Sequence, residues 1–247
     1  QLLYKLSLKI KVILLITTME ILKTLLIVYM DLSFLEWYIH RYLMHTSNNE
    51  TINKINYPII YIYSSLRKLD QVTTHIKHHG IVNTDGSVKS KDKGMYYSVY
   101  NIFFTPLLAF PLYYLTTQVI NYEHTSNEYL FMISFFYFIS YLYYSLWNIL
   151  HPSYHNYLDK DYNSYMRTNF IYKYLERYHM LHHFNKGDDK CNFNIILPGA
   201  DFIFGTYKGY VDNTEYYKLK TKKTEKDIEI FNAQLQKKPL PYGLKYK

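Results

Sequence analysis

Ten of the eleven histidines in this chain fall into four short clusters. They are His40 and His45 in HRYLMH, His75, His78 and His79 in HIKHH, His151 and His155 in HPSYH, and His179, His182 and His183 in HMLHH; only His124 stands apart. Neutral imidazole is the commonest protein ligand for transition metals. On a helix, residues three and four apart lie about 60° to one side and about 40° to the other. Each HxxHH unit can therefore turn three rings toward one cavity, and His151 with His155 can turn two. One ion takes roughly three to five protein ligands, so ten suit two ions better than one. His40 and His45 break the pattern, because five residues amount to about 140° on a straight helix. Either a bulge or a helix end lies between them, or they serve different metals. Core packing is the ordinary reading of a lone HxxH. Four such clusters, from a residue that occupies only 11 of 247 positions, are not an accident of composition.

A ligating imidazole usually donates its other N–H to a nearby acceptor. Glu36, four residues before His40, is placed to hold that ring, and Asn148, Asp201 and Asp31 are further candidates for the same role. Imidazole suits zinc, iron, copper and nickel. The chain has one cysteine, Cys191, so it offers neither an intrachain disulfide nor a thiolate-rich structural zinc site. No cluster has the HExxH pattern that a zinc-dependent hydrolase would want.

The elements that must position these rings read as helices of a membrane protein. Residues 12–30, 100–120 and 129–150 are apolar and about long enough to span a bilayer. Glu20 and Lys23 interrupt the first at a spacing that lets them pair. Pro106 and Pro111 kink the second, which bilayers tolerate. The third carries no charge. Asn121–Glu128 joins the last two as a short loop without Lys or Arg, so the positive-inside rule turns that hairpin tip away from the cytoplasm. Residues before Tyr100 and after Leu150 then share the cytosolic face, with all four clusters and 24 of the 28 basic residues. Lys5, Lys9 and Lys11 would lie on the far side if 12–30 crosses once; an upstream helix or a re-entrant first segment would reconcile them. The fold expected is all-α, one domain over 1–247, with polytopic membrane helices and a cytosolic helical cap carrying a dimetal site. Residues 83–94 read as a polar loop, Pro198–Gly199 as a turn, and 212–247 as a basic cytosolic tail with a short helix near 224–236. The net charge of +8 comes without a basic recognition helix or zinc-finger spacing, which argues against nucleic acid.

Several stretches together resemble the membrane-bound fatty acid hydroxylase/sterol desaturase superfamily. They are EWYIHRYLMH (Glu36–His45), HIKHH (His75–His79), HPSYH (His151–His155) and YHMLHH (Tyr178–His183). NFNIILPGADFIFGT (Asn192–Thr206) resembles the segment that follows that family's last histidine box. The resemblance covers Glu36 to Thr206. It implies a non-haem di-iron oxidase of the endoplasmic reticulum whose two iron ions are held by the ten clustered histidines, with zinc or another divalent ion able to occupy the same site. It implies O2 as co-substrate, a lipid substrate, and electrons from a separate cytochrome b5-type donor, since no haem-binding segment is visible. An acidic donor would suit the basic cytosolic face. The HxxxH third box is more similar to fatty acyl and sphingolipid hydroxylases than to sterol 4-methyl oxidases. The expected reaction is therefore hydroxylation of a fatty acyl or sphingolipid chain. Desaturation of a sterol or lipid by the same centre is the alternative. From another class, a metal transporter or metal-binding membrane protein is disfavoured, because 100–120 and 129–150 contain no charged residue or histidine to line an ion path.

Overall fold

A computed structural model describes residues 2–45, 58, 71–83, 86–88, 95–122, 124–156, 160–185 and 191–210. The expected tail at 212–247, its helix near 224–236 and most of the 83–94 loop lie outside the described residues. Within them all regular structure is helical, with no strand. Helix α1 (Leu2–Tyr38) runs directly into a π-helical segment, Ile39–Met44; α2 (Gln71–Ile81), α3 (Asn101–Val119), α4 (Ser126–Tyr154), α5 (Lys160–Met166), α6 (Phe170–Phe184) and the short α7 (Ala200–Ile203) follow.

Local chemistry sets the ends of these helices. A capping box starts α4: Thr125 Oγ1 accepts from the Glu128 N–H, and the Glu128 carboxylate accepts from the Thr125 N–H. Asn169 caps α6 by accepting from the N–H groups of Ile171 and Tyr172. Proline suits the first turn of a helix, and Pro152 in HPSYH could open a new one just past the membrane exit. HPSYH instead forms the last turn of α4, which runs unbroken to Tyr154. That turn closes by three-residue bonds, from the His155 N–H to the Pro152 carbonyl and from the Asn156 N–H to the Ser153 carbonyl. The N–H that proline lacks is thus missing where the helix is already tightening and ending.

Helices α3 and α4 form the antiparallel hairpin, and these two are long and apolar enough to cross a membrane. Only 22% of each apolar window is buried, so the pair is not the covered core of a soluble bundle. Phe103, Leu107 and Leu115 on α3 and Phe131, Phe138 and Tyr141 on α4 face outward. On the inner side, Ile27, Val28, Leu32 and Leu35 of α1 pack with Ala109, Tyr113, Met132 and Phe136. A second core joins Trp147, Leu150 and Tyr154 of α4 to Leu175, Met180 and Phe184 of α6 and to Ile195 and Ile196.

The register of α1 differs from the expectation centred on residues 12–30. That stretch is helical, and several of its side chains lie outside the described residues. Tyr122, at the hairpin tip, meets Thr24 Oγ1 at 3.1 Å and donates to the Glu20 carbonyl at 3.5 Å. Glu20 to Thr24 is therefore level with the tip, and α1 lies beside the hairpin from there to its C-terminal end. Residues 2–19 continue about 27 Å beyond the tip at 1.5 Å per residue. The exposed Glu20–Lys23 ion pair, at 2.7 Å, sits at the tip rather than halfway along the hairpin.

Candidate metal centre

The ten clustered histidines come together at the opposite end of the hairpin from its tip, as two groups of five. One is His40, His45, His75, His79 and His182; the other is His78, His151, His155, His179 and His183. Within each group the ligand nitrogens lie within 4.8 Å of one another. The two HxxHH units do not each face one cavity, as their spacing had allowed. In α2 the four-apart pair His75 and His79 joins the first group while His78 joins the second. In α6 the pair His179 and His183 joins the second while His182 joins the first. Adjacent residues on a helix are about 100° apart, so a helix wedged between two sites serves both. The two groups abut: the rings of His79 and His183 lie 4.2 Å apart, centroid to centroid.

The five-residue gap between His40 and His45 is absorbed by the π-helical segment. The His45 N–H donates to the His40 carbonyl at 3.1 Å, a bond that spans five residues and brings both rings to one side. Both belong to the first group, so of the two alternatives it is the altered helix that the structure shows.

The ring nitrogens are arranged for cations. His40 Nδ1 donates to the Phe193 carbonyl at 2.5 Å, His182 Nδ1 to Cys191 at 2.6 Å, His151 Nδ1 to Met95 at 2.8 Å and His155 Nδ1 to Gly86 at 2.7 Å. A carbonyl only accepts, so these four neutral rings carry their proton on Nδ1 and aim a bare Nε2 lone pair inward. In the first group, Nε2–Nε2 contacts of 3.0–3.2 Å link His40 to His75, His75 to His45 and to His79, and His182 to His45 and to His79. His40 and His182 have no Nε2 proton to give. Three rings remain, each with one in-plane N–H at most, so at least two of the five contacts cannot be hydrogen bonds and set lone pair against lone pair or N–H against N–H. In the second group the single lone pair of His155 Nε2 meets both His78, at 3.2 Å, and His179, at 3.0 Å. His151 Nε2 is buried with no hydrogen-bond partner. A cation in each group resolves all of this. With five ligand nitrogens in each group, either would offer an ion more donors than the four of a closed tetrahedral site.

Burial keeps the rings in the form a metal needs. None of the ten is more than 8% exposed. Burial pushes His40 down to about 4 and holds His75, His79, His155, His179 and His183 well below the usual imidazole range, with neighbouring imidazoles adding to the effect at most of them.

The side chains expected to hold the rings act one step further out. Glu36 does not touch His40. Its carboxylate accepts from Tyr143 Oη at 2.7 Å, from the N–H groups of Ile195, Ile196 and Leu197 at 2.9–3.0 Å, and from Asn194 Nδ2 at 3.3 Å. Four residues along α1 put Glu36 a full turn from His40, level with the 194–197 strap rather than with the ring. Asp201 accepts from the N–H groups of Phe193 and Asn194 at 3.0 and 2.7 Å, and from Tyr178 Oη at 2.9 Å. It thereby fixes Phe193, whose carbonyl holds His40. Asn148 bonds Tyr97 N–H and C=O at 2.8 and 3.1 Å, steadying the segment whose Met95 carbonyl holds His151. Asp31 lies away from the rings and accepts from Thr116 Oγ1 at 2.8 Å. The missed functional groups are thus backbone carbonyls, which no residue type announces; the polar Asn192–Asn194 in an otherwise apolar run was their only signal. Ser33 completes the strap by donating to the Leu197 carbonyl and accepting from the Ala200 N–H, and a Cβ on Gly199 would come within 3.0 Å of its oxygen.

An apolar cleft reaches the first group from between α1, α3 and α4, with His40 and Met44 in its wall beside Leu32, Leu35 and Ile139. Comparison with known proteins adds nothing to this description: no family model, curated protein or solved structure matches the chain.

Proposed function

We propose that this chain is an O2-dependent lipid hydroxylase of the fatty acid hydroxylase/sterol desaturase superfamily, with one iron ion in each imidazole group. The observation that carries this reading is the pair of abutting five-imidazole sites, whose ring nitrogens converge in more contacts than their protons can bridge, beside an apolar cleft. Ten imidazoles without thiolates suit a redox-active pair of ions better than a closed structural zinc site. Such a pair, when bound, supplies the two-electron chemistry needed to activate O2. The reaction balances as a lipid C–H, O2, two electrons and two protons giving the alcohol and water. The protein's own part is to hold the rings of His40, His151, His155 and His182 in one tautomer, keep bulk water from buried nitrogens, and line an apolar path along which a chain lies next to His40.

In this reading α3 and α4 cross the membrane of the endoplasmic reticulum. The histidine groups and the helices that carry them form a cap on the cytosolic side, facing the basic residues. Electrons come from a separate cytochrome b5-type protein whose acidic surface suits that face. The test is expression of the full chain in cells, with metal analysis of the purified protein and mass spectrometry of the lipids. Two irons per chain and a lipid product gaining one oxygen are expected. A loss of two hydrogens would assign the desaturase instead, and unchanged lipids with both irons bound would overturn the proposal.

A further inference from the structure

A path of aromatic rings leads from the second imidazole group to a tyrosine held on a buried carboxylate. Tryptophan and tyrosine are the rings that most readily give one electron to a strong oxidant. Two of them pack against a clustered imidazole: Trp147 on His151, with centroids 5.0 Å apart, and Tyr154 on His179 at 5.5 Å. Trp147 is tied to its imidazole twice over, because its Nε1 donates at 3.2 Å to the same Met95 carbonyl that holds His151 Nδ1. Beyond Trp147 lie Tyr97 at 5.3 Å and Tyr143 at 6.0 Å, and all three rings line the cleft beside His40.

What distinguishes these rings is where a proton can go. A phenol that loses an electron becomes a strong acid, so it holds the oxidation only if a base takes its proton. Tyr143 Oη donates to Glu36 Oε1 at 2.7 Å, within the range for direct proton transfer. The Trp147 N–H faces a carbonyl, which accepts a hydrogen bond but does not take up the proton. Tyr154 leads to Tyr172, whose hydroxyl meets that of Ser153, a far weaker base than a carboxylate. Tyr178 has a carboxylate partner in Asp201, but its ring packs on Tyr174, Phe202 and Tyr207. Tyr143 joins both requirements, a ring path to the imidazoles and a base in place.

We infer that Tyr143 is a redox-active residue that discharges the oxidised metal pair when no lipid C–H bond is within reach. One electron passes from Tyr143 through Trp147 and His151 to the iron pair, which is reduced by one equivalent. The phenolic O–H bond breaks, and its proton forms an O–H bond on Glu36 Oε1. A neutral tyrosyl radical and a neutral carboxylic acid remain, so no charge is stranded in a low-dielectric interior. The N–H groups of Ile195, Ile196 and Leu197 keep the Glu36 carboxyl in place. The proton therefore returns along the same bond when the external donor restores the electron. Trp147 passes the charge on and does not store it. Without this outlet, an oxidant generated beside an empty cleft would attack the imidazoles themselves. The inference rests on the hydroxylase reading for its oxidant, O2 with two electrons, and on the ring and hydrogen-bond geometry for its route.

The test uses the full chain, loaded with iron in a fluorinated surfactant whose tail offers no C–H bond. It is mixed with hydrogen peroxide, frozen rapidly and measured by electron paramagnetic resonance. A tyrosyl signal is expected, narrowing when the tyrosine rings are deuterated. Tyr143→Phe should abolish it, and Trp147→Phe should weaken it per bound iron. A chain with 3-fluorotyrosine at position 143 alone should show an added fluorine splitting, and decides the matter if Tyr143→Phe fails to fold. Three outcomes overturn the inference: no tyrosyl signal from the iron-loaded protein, a signal without the fluorine splitting, or full signal per iron in Trp147→Phe. Lipid analysis of the same preparations separates the two proposals. Oxidised lipid without the tyrosyl signal would remove this inference alone. The signal in a protein that oxidises no lipid would remove only the hydroxylase reading, and a chain that binds no iron would remove both.

Discussion

The two imidazole groups are built to one recipe and placed in different surroundings. Each takes a close pair from one helix, a four-apart pair from a second and a single ring from a third. The first uses His40 with His45, His75 with His79, and His182; the second uses His151 with His155, His179 with His183, and His78. Helices α2 and α6 are shared and exchange roles, each giving a pair to one group and a single ring to the other. The surroundings differ. The second group is sealed, all five rings at 0–1% exposure, against Trp147 and Tyr154. Arg167, which bonds both Asn156 beside His155 and Glu176 one turn before His179, clamps it from outside. The first group borders the apolar cleft and includes the most open ring of the ten, His79 at 8%. In the proposed hydroxylase this difference divides the labour: the site beside the cleft would meet the lipid chain, and the sealed one would complete the pair.

Removing a ligand from either side is the strongest way to break that comparison. His79→Ala and His183→Ala should each lower turnover by more than the 10–100-fold typical of losing an outer partner. Metal analysis should separate them, with His79→Ala emptying the first group preferentially and His183→Ala the second. Full activity in either variant would remove both the metal-ligand assignment and the comparison built on it.

A middle-sized effect should follow from Glu36→Gln. The carboxylate accepts five donors and gives none, so an amide must aim N–H at N–H. We expect the 194–197 strap to loosen, about 2 kcal/mol of stability to be lost, and iron retention against a chelator to fall about tenfold. Because Glu36 acts through the strap, and the neighbouring Phe193 and Cys191 hold His40 and His182, the loss should fall on the first group. Equal loss from both groups on dialysis would contradict this route.

The smallest and most general effect is pH dependence of the metal-free protein. Burial lowers the folded pKa of these rings below the unfolded value near 6.5, in His40 to about 4. A lowered histidine pKa means the unfolded chain binds more protons. Stability is then fully present above about pH 6.5 and is lost as pH falls toward 4. Melting followed by circular dichroism should show this decline in the metal-free protein, and a flat profile across that window would count against ten buried neutral rings.

The sequence by itself determined the donors and their local geometry. Histidine type and spacing are covalent facts, and helix pitch converts them into directions without any help from the rest of the fold. The five-residue step from His40 to His45 allowed either an altered helix or two different metals, and the π-helical segment is the alternative the fold takes. The α3–α4 hairpin was legible for the same reason, since uninterrupted apolar length depends on composition alone. Only the tertiary structure decided which rings share a group. Neighbours such as His78 and His79 point about 100° apart, and what lies in each direction depends on where other helices pack. It also decided the register of α1 against the hairpin, which hydropathy alone misplaces because contacts such as Tyr122 with Thr24 join residues 98 apart. The acceptors that fix the tautomers were hidden most completely. They are backbone carbonyls of Gly86, Met95, Cys191 and Phe193, which every residue possesses and only folding can aim.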